Sequence, residues 1–143
     1  MGQLYEQDLY LWAETTAHLL RENRFSEIEL DALIEELGDI SKREKRDLQR
    51  QLEKVIINLL KWRYVVGLRT PEWRFSTRYS RQEIKYILDD SPSLKQLVPH
   101  LILDCYLDAR EFARMETGLD EWRFPEHNPF TTGQILDRQF FPE

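Results

Sequence analysis

His100, Asp104 and Asp108 are the residues whose types and spacing most resemble a metal site, because they follow one another at intervals of four. On a helix this spacing places three potential ligands along one stripe. At a rise of roughly 1.5 Å per residue, the first and third lie about 12 Å apart, so one ion could contact two of them at most. Exposed i,i+4 charge pairs have the same spacing. We therefore rank a metal-dependent hydrolase third among the functional interpretations, and we predict no metal ligands, no catalytic residues and no cofactor.

The segment 42–85 is strongly basic, with 13 basic and 5 acidic side chains, whereas residues 1–41 and 86–143 have net charges of −8 and −6. Aromatic side chains are interleaved with these cations. Clustered cations bind phosphates, and aromatic rings stack on the bases of single-stranded nucleic acid. Two interpretations stay open: the segment binds nucleic acid, or it neutralises the acidic helices on either side. Under the first, the residues that we expect to bind are Lys42, Arg43, Lys45, Arg46, Arg50, Trp73, Arg74, Arg78 and Arg81.

Cys105 and Glu36 invite a chemical role, but both are better explained by structure. Cys105, the only cysteine, falls on an apolar helix face, where a packed thiol is more common than a nucleophile. Glu36 lies nearer to the apolar stripe of its helix than a free surface charge should. We expect it to pair with a buried cation, Arg81 or Arg110, and such a pair sets structure rather than chemistry. The chain has no Ser–His–Asp set, glycine-rich phosphate loop or Cys-x-x-Cys pair.

Helices must position these side chains. The chain has only 5 glycines and 6 prolines in 143 residues, fewer turn residues than a sandwich or barrel of this length needs. Apolar residues recur at intervals of three and four almost throughout, which is typical of amphipathic helices. This pattern predicts helices over about 8–23, over 28–65, from 71 or 80 to about 90, and from 94 or 99 to Gly118.

The segment 28–65 carries two apolar stripes separated by the polar stretch 41–47. We favour one long helix, because Gly38 costs only ~1 kcal/mol inside a helix and no proline interrupts the segment. A break near Gly38 is the alternative. A helix of this length must project from a small bundle or pack against a partner. The two stripes consist of Leu30, Leu33, Ile34, Leu37 and Ile40, and of Leu48, Leu52, Val55, Ile56, Leu59, Leu60 and Trp62.

Tryptophans at helical periodicity usually pack, so we expect Trp12, Trp62 and Trp73 to anchor the core. Lys61 and Arg74 are adjacent to two of them and can form cation–π contacts or line a groove. After Gly118 the chain is aromatic and irregular. The sequence thus predicts an all-α single domain over residues 1–143: a bundle of about four main helices, one of them long, with a docked aromatic-rich C-terminal tail.

Short motifs along almost the whole chain match a known family. They are Tyr10-Leu11-Trp12, Leu33-Ile34-Glu35-Glu36-Leu37, Leu59-Leu60-Lys61-Trp62, Trp73-Arg74 with Arg81, Ser91-Pro92-Ser93-Leu94, Tyr106 with Ala109-Arg110, Glu116-Thr117-Gly118-Leu119, and Phe124-Pro125. On these residues the chain resembles the bacterial domain of unknown function family 29. The family pattern has Thr-Ile and Gln-Arg where this chain has Ser76-Thr77 and Ser80-Arg81, so only the arginine is kept. The resemblance implies an all-α, bundle-like fold. It brings no established activity with it, so it transfers no residue role.

Our leading interpretation is a non-catalytic helical interaction module that binds a protein partner or itself, and nucleic-acid binding through 42–85 is the alternative. We lean towards a protein that is not an enzyme. The first residues lack the basic side chains and the unbroken apolar run of a secretory signal, and no run reaches the ~18 apolar residues of a membrane span. Together with the single cysteine, these features predict a cytoplasmic protein that does not bind membranes.

Overall fold

The structure is a computed structural model that describes residues 3–143, apart from the side chains of Gln3 and Glu121. Over this range it contains six α-helices, four of them of seven residues or more, and no strand. The prediction of an all-α fold with four main helices, one of them long, is confirmed. The helices are α1 (Gln3–Gln7), α2 (Leu9–Arg21), α3 (Leu30–Tyr64), α4 (Pro71–Asp90), α5 (Val98–Thr117) and α6 (Thr132–Leu136).

Helix α3 is continuous over 35 residues, which makes it about 50 Å long. Neither Gly38 nor the polar stretch 41–47 interrupts it, so the favoured prediction of one long helix is confirmed. The helix begins two residues later than predicted, because a 3₁₀ turn over Phe25–Glu27 precedes it.

Helices α4 and α5 begin where proline permits a first turn. Thr70 caps α4 by accepting a hydrogen bond from the Trp73 amide at 3.4 Å, and Pro71 is the first helical residue. The later start at Ser80 is therefore wrong. Pro99 lies in the first turn of α5 rather than kinking it, and α5 ends at Gly118, whose φ of 71° is the left-handed conformation of a helix C-cap.

The chain divides into two compact units, Met1–Arg43 and Glu44–Glu143, which we call the N-terminal unit and the C-terminal unit. The first contains α1, α2 and the start of α3, and the second contains the rest of α3 with α4, α5 and α6. The prediction of a single domain stays a prediction.

The C-terminal unit has a continuous apolar core to which all its main helices and the tail contribute. Helix α3 supplies six side chains with no exposed surface: Leu48, Leu52, Val55, Ile56, Leu59 and Leu60. Ile84 of α4 and Leu101, Cys105 and Ala109 of α5 are buried against the same cluster. The second apolar stripe of the long helix is thus the centre of this core.

The aromatic tail docks on the C-terminal unit, as predicted. Phe124 and Ile135 are 1% and 0% exposed. The Tyr106 hydroxyl donates a hydrogen bond to the Pro125 carbonyl at 2.6 Å, and the Arg110 guanidinium donates to the Phe124 carbonyl at 3.0 Å. Side chains of α5 therefore hold the tail by hydrogen bonds to the backbone of the tail as well as by apolar packing.

Candidate interaction surfaces

The first half of α3 carries an apolar stripe that faces solvent. Leu30, Ile34 and Leu37, which we call the outer stripe, are 63%, 60% and 58% exposed. Their spacing of four and three places them on one face of the helix. Ile40 beside them is 45% exposed and Leu33 is half-buried, so the apolar face is wider than three residues. A face of this pattern normally packs against a core.

The opposite face of the same segment is the covered one, although it is the more polar. Ala32 is 5% exposed and Glu36 is half-buried. One oxygen of Glu36 accepts a hydrogen bond from the Tyr5 hydroxyl at 3.0 Å, and the other accepts from the Arg43 guanidinium at 3.2 Å. The Tyr5 contact links α1 to this polar face, while the outer stripe on the other side of the helix stays exposed.

The partner predicted for Glu36 is corrected by these contacts. Within the described residues Glu36 pairs with Arg43, seven positions along its own helix, rather than with Arg81 or Arg110. Arg81 and Arg110 instead donate to carbonyl oxygens of the tail. The physical reason lies in the tail after Gly118, which turns backbone carbonyl oxygens towards the inside of the fold. Carbonyls in that position need hydrogen-bond donors, and the two arginines supply them.

Helix α2 is only partly covered as well. Trp12 is 4% exposed and its ring meets that of Tyr5 edge to face at 4.7 Å, so it anchors the N-terminal unit as predicted. Other large apolar side chains of this unit remain 41–75% exposed: Leu9, Tyr10, Leu11, Leu20 and Phe25. The N-terminal unit therefore buries few of its apolar side chains.

The cations of the segment 42–85 are distributed over three kinds of environment. Four make ion pairs with described residues. Three of these pairs lie within one helix, Arg43–Glu36, Arg50–Asp47 and Lys85–Asp89, and the fourth, Lys61–Glu116, joins α3 to α5. Another group lies over aromatic rings. Lys61 Nζ is 4.8 Å from the Trp73 ring centre, and the guanidinium of Arg74 is 5.2 Å from that of Trp62. Lys61 and Arg74 thus form cation–π contacts as predicted, but each with the more distant tryptophan rather than with its neighbour in sequence.

A third group of cations is exposed and makes no ion pair or side-chain hydrogen bond with any described residue: Lys42, Lys45, Arg46, Lys54 and Arg78. The predicted set is thus dispersed rather than gathered into one surface. Trp73 is half-buried, and Arg81 is 3% exposed beneath the tail. Both interpretations of the segment therefore stay predictions.

Helix α4 exposes an aromatic face next to one of these free cations. Phe75, Tyr79 and Tyr86 are 74%, 56% and 54% exposed, and their spacing of four and seven places them on one side of the helix. Arg78 lies between the first two in sequence and is also exposed. The sequence pattern named Arg78 but gave no sign that Arg138 and Gln139 of the tail share a cleft with it, because these residues are distant in sequence.

The predicted metal-like residues form a surface pair. His100 Nε2 lies 3.3 Å from Asp104 Oδ2, with the two side chains 65% and 50% exposed. In the part of the chain that the structure describes, no three His, Cys, Asp or Glu side chains are grouped as metal ligands. Cys105 is 1% exposed, and burial, followed by the charge of Glu53, raises its pKa to about 12, so its sulfur is a thiol at neutral pH.

Comparison with known proteins assigns nearly the whole chain to one family. A family model described as "Domain of unknown function DUF29" matches residues 4–141, and the resemblance seen in the sequence motifs is thereby confirmed. No curated protein and no solved structure matches the chain. Within the described residues, no helix is both long enough and apolar enough to cross a membrane.

Proposed function

The chain belongs to the DUF29 family, and we propose that it is a non-catalytic helical interaction module that binds a protein partner, or a second copy of itself, through the outer stripe of its N-terminal unit. The observation that carries this proposal is the exposure of Leu30, Ile34 and Leu37 on one face of α3, at 58–63%. Single exposed apolar side chains are ordinary, but a row of them in helical register marks an interaction site.

The energetics favour an occupied stripe. Transfer of one leucine or isoleucine side chain from water to a packed interface is worth about 1.5–3 kcal/mol. Three such side chains on one straight segment offer a binding surface that a partner helix can cover by packing its own apolar row into it. The more polar face cannot serve instead, because Tyr5 is hydrogen-bonded to Glu36 there.

The charges beside the outer stripe indicate the chemistry of the partner. Asp31 and Glu35 are exposed along one edge of it, and the unit as a whole is acidic, with a net charge of −8 over residues 1–41. A contacting helix that carries basic residues beside its apolar row fits this surface better than an acidic one. The proposal also keeps two expectations from the sequence, namely that the protein is bacterial and that it works in the cytoplasm, where a lone buried cysteine stays reduced.

A triple substitution tests the proposal, with a control on the other unit. Leu30→Gln, Ile34→Gln and Leu37→Gln remove the outer stripe without adding charge or breaking the helix. Leu103→Gln, Leu107→Gln and Met115→Gln remove three side chains of similar exposure, 60–73%, from α5. Each chain is expressed with a tag in its native host, recovered after nuclease treatment, and also measured by light scattering over a range of concentrations.

We expect the wild type and the α5 control to form the same dimer, or to retain the same partner protein, and the stripe variant to lose it. Circular dichroism must show that all three chains keep their helix content. A stripe variant that keeps the dimer or the partner contradicts the proposal. The proposal is equally contradicted if the wild type stays monomeric and retains no protein that the stripe variant loses.

A further inference from the structure

A cleft of about 340 Å³ lies between α4 and the C-terminal tail, and arginines dominate its lining. Its walls are Arg78, Arg81, Arg138 and Gln139, with no carboxylate among them. Arg78 and Arg81 come from consecutive turns of α4, and Arg138 comes from the residues after α6. Three guanidinium groups around so small a space create a strongly positive site.

Arg81 is the buried member of the three. It is 3% exposed, and its guanidinium donates hydrogen bonds to the carbonyl oxygens of Ile135, Phe140 and Gln134 at 2.9, 2.9 and 3.0 Å. These acceptors are neutral. Within the described residues no carboxylate lies within ion-pair distance of Arg81, and Asp137 acts on it only through its more distant charge. A buried cation normally has a paired anion, so this one lacks its usual compensation.

Arg78 and Arg138 are the two arms at the mouth of the cleft. Both are exposed. Arg78 makes no hydrogen bond or ion pair with the described residues, and Arg138 makes one hydrogen bond, to the Gln82 side-chain oxygen at 3.2 Å. A guanidinium group binds phosphate oxygens through two parallel N–H donors, so two such arms above a buried third cation form an anion site suited to phosphate.

A second cleft of about 700 Å³ shares Arg81 and Arg138 with the first. It adds two lysines, Lys85 and Lys95, and an apolar wall. The only carboxylate in its lining, Asp89, is already paired with Lys85 at 2.7 Å. The apolar wall consists of Ile84, Leu88, Pro92 and Leu136. The larger cleft therefore suits an organic group attached to the anion in the smaller one.

We propose that the cleft formed by Arg78, Arg81 and Arg138 binds the phosphoryl group of a phosphate ester, and that the adjoining cleft takes the organic part of the same ligand. Arg78 and Arg138 contact the phosphate oxygens, and Arg81 supplies a fixed charge behind them. Burial lowers the pKa of Arg81 to about 10, so the guanidinium still carries its charge at neutral pH. This site is independent of the outer stripe, and a small organic phosphate and a nucleotide of single-stranded RNA share its chemistry.

The test uses three probes on the full chain at low salt: inorganic phosphate, adenosine monophosphate and a short fluorescein-labelled oligouridylate. Arg78→Gln with Arg138→Gln removes both arms, and both side chains are exposed, so the fold should survive. The control is Arg21→Gln with Lys54→Gln, which removes the same charge from exposed positions elsewhere. Affinity is measured by calorimetry and anisotropy, and the side-chain Nε–Hε resonance of Arg81 is followed by NMR.

We expect the cleft variant to bind the phosphate esters about tenfold more weakly or worse, while the control stays close to the wild type. The Arg81 resonance should shift on titration. For the oligonucleotide, the slope of log affinity against log salt concentration should become shallower by about 0.7 for each phosphate that the variant no longer binds. Absence of binding by every probe, or equal weakening of the cleft and control variants, overturns the proposal.

The probes also separate the two sources of the phosphate. If the monophosphate binds as tightly as the oligonucleotide, the ligand is a small phosphate ester. If the oligonucleotide binds far more tightly, and Phe75→Ala with Tyr79→Ala weakens it alone, the bases stack on the exposed face of α4 and the source is RNA. Both results support the anion site, because both require the arginine arms.

Discussion

In the C-terminal unit the α3 side chains Leu52 and Ile56 are fully buried, whereas Ile34 and Leu37, nearer the start of the same helix, are 60% and 58% exposed. Both halves of α3 carry apolar residues at helical spacing. The difference lies in what packs on them: α4, α5 and the tail close a core around the second half, while Tyr5 of α1 contacts the polar side of the first. Periodicity therefore identifies an apolar face and leaves open whether this chain or another molecule covers it.

The largest expected effect comes from removing one apolar side chain in each half of α3. Leu52→Ala should lower the free energy of unfolding by about 2–5 kcal/mol, because it leaves a cavity among fully buried neighbours. Ile34→Ala should change it by less than about 0.5 kcal/mol in the monomer, because water already contacts that side chain. Urea denaturation of dilute protein measures both.

The comparison fails if the two substitutions have similar effects at low concentration. A loss of stability for Ile34→Ala that grows with protein concentration would instead show that association covers this half, since stability contributed by association depends on concentration. A control at an exposed apolar position of the other unit, Leu103→Ala, should show no such concentration dependence.

The fold itself was accessible from the sequence, because its signals are local. The continuity of α3 follows from the absence of proline, and the start of α4 follows from Thr70 and Pro71. The partners of the charged residues were not accessible. Glu36 binds Tyr5 and Arg43, and Arg81 binds carbonyl oxygens of the tail, because these contacts depend on where distant backbone lies in space. No spacing rule encodes that position.

The next largest effect should come from the two arginines that the sequence left ambiguous. Arg81→Gln should lower the free energy of unfolding by about 3 kcal/mol, because one buried and two partly buried carbonyls of the tail lose their donor. Arg43→Gln should cost less than about 1 kcal/mol, because its pair with Glu36 is half exposed. Calorimetry gives the stabilities, and hydrogen exchange over 134–140 shows whether the tail is released.

If Arg81→Gln and Arg43→Gln destabilise the protein equally, the tail is not held by Arg81. If Arg81→Gln destabilises the protein while the tail amides keep their protection, the loss has another origin than the hydrogen bonds to those carbonyls. Either result would remove one structural difference between the two units.

A smaller effect concerns two tyrosines, one in each unit, whose pKa values are both raised to about 12. For Tyr5 the causes are desolvation and then the hydrogen bond to the Glu36 carboxylate, whereas for Tyr106 the main cause is burial. Glu36→Gln should therefore lower the pKa of Tyr5, although its desolvation remains, and leave that of Tyr106 unchanged. Carbon-13 NMR of the ring Cζ atoms during a pH titration measures both values.

The same two shifts give a direction for stability at alkaline pH. An unfolded tyrosine ionises near pH 10, roughly, whereas each folded one holds its proton until about 12. The contribution of both groups is thus fully present below the unfolded pKa and is lost as the pH rises through the folded value. Unfolding measured across this window should become easier with rising pH, and Glu36→Gln should reduce the slope. An unchanged pKa for Tyr5 in that variant would contradict the origin assigned to its shift.

The smallest effects on stability should come from two glycines. Their replacement by alanine should change the stability in opposite directions. Gly38 lies inside α3 in the N-terminal unit, and a Cβ there would meet no atom within 4 Å, so Gly38→Ala should stabilise the helix by about 0.5–1 kcal/mol. Gly118 ends α5 with a φ of 71°, and Gly118→Ala should destabilise by about 1–2 kcal/mol despite equally open space. Thermal unfolding of both variants checks the signs. A loss of stability on Gly38→Ala would mean that another molecule packs on that open surface in solution. Because Gly38 follows Leu37 directly in the helix, that molecule would be a partner bound near the outer stripe.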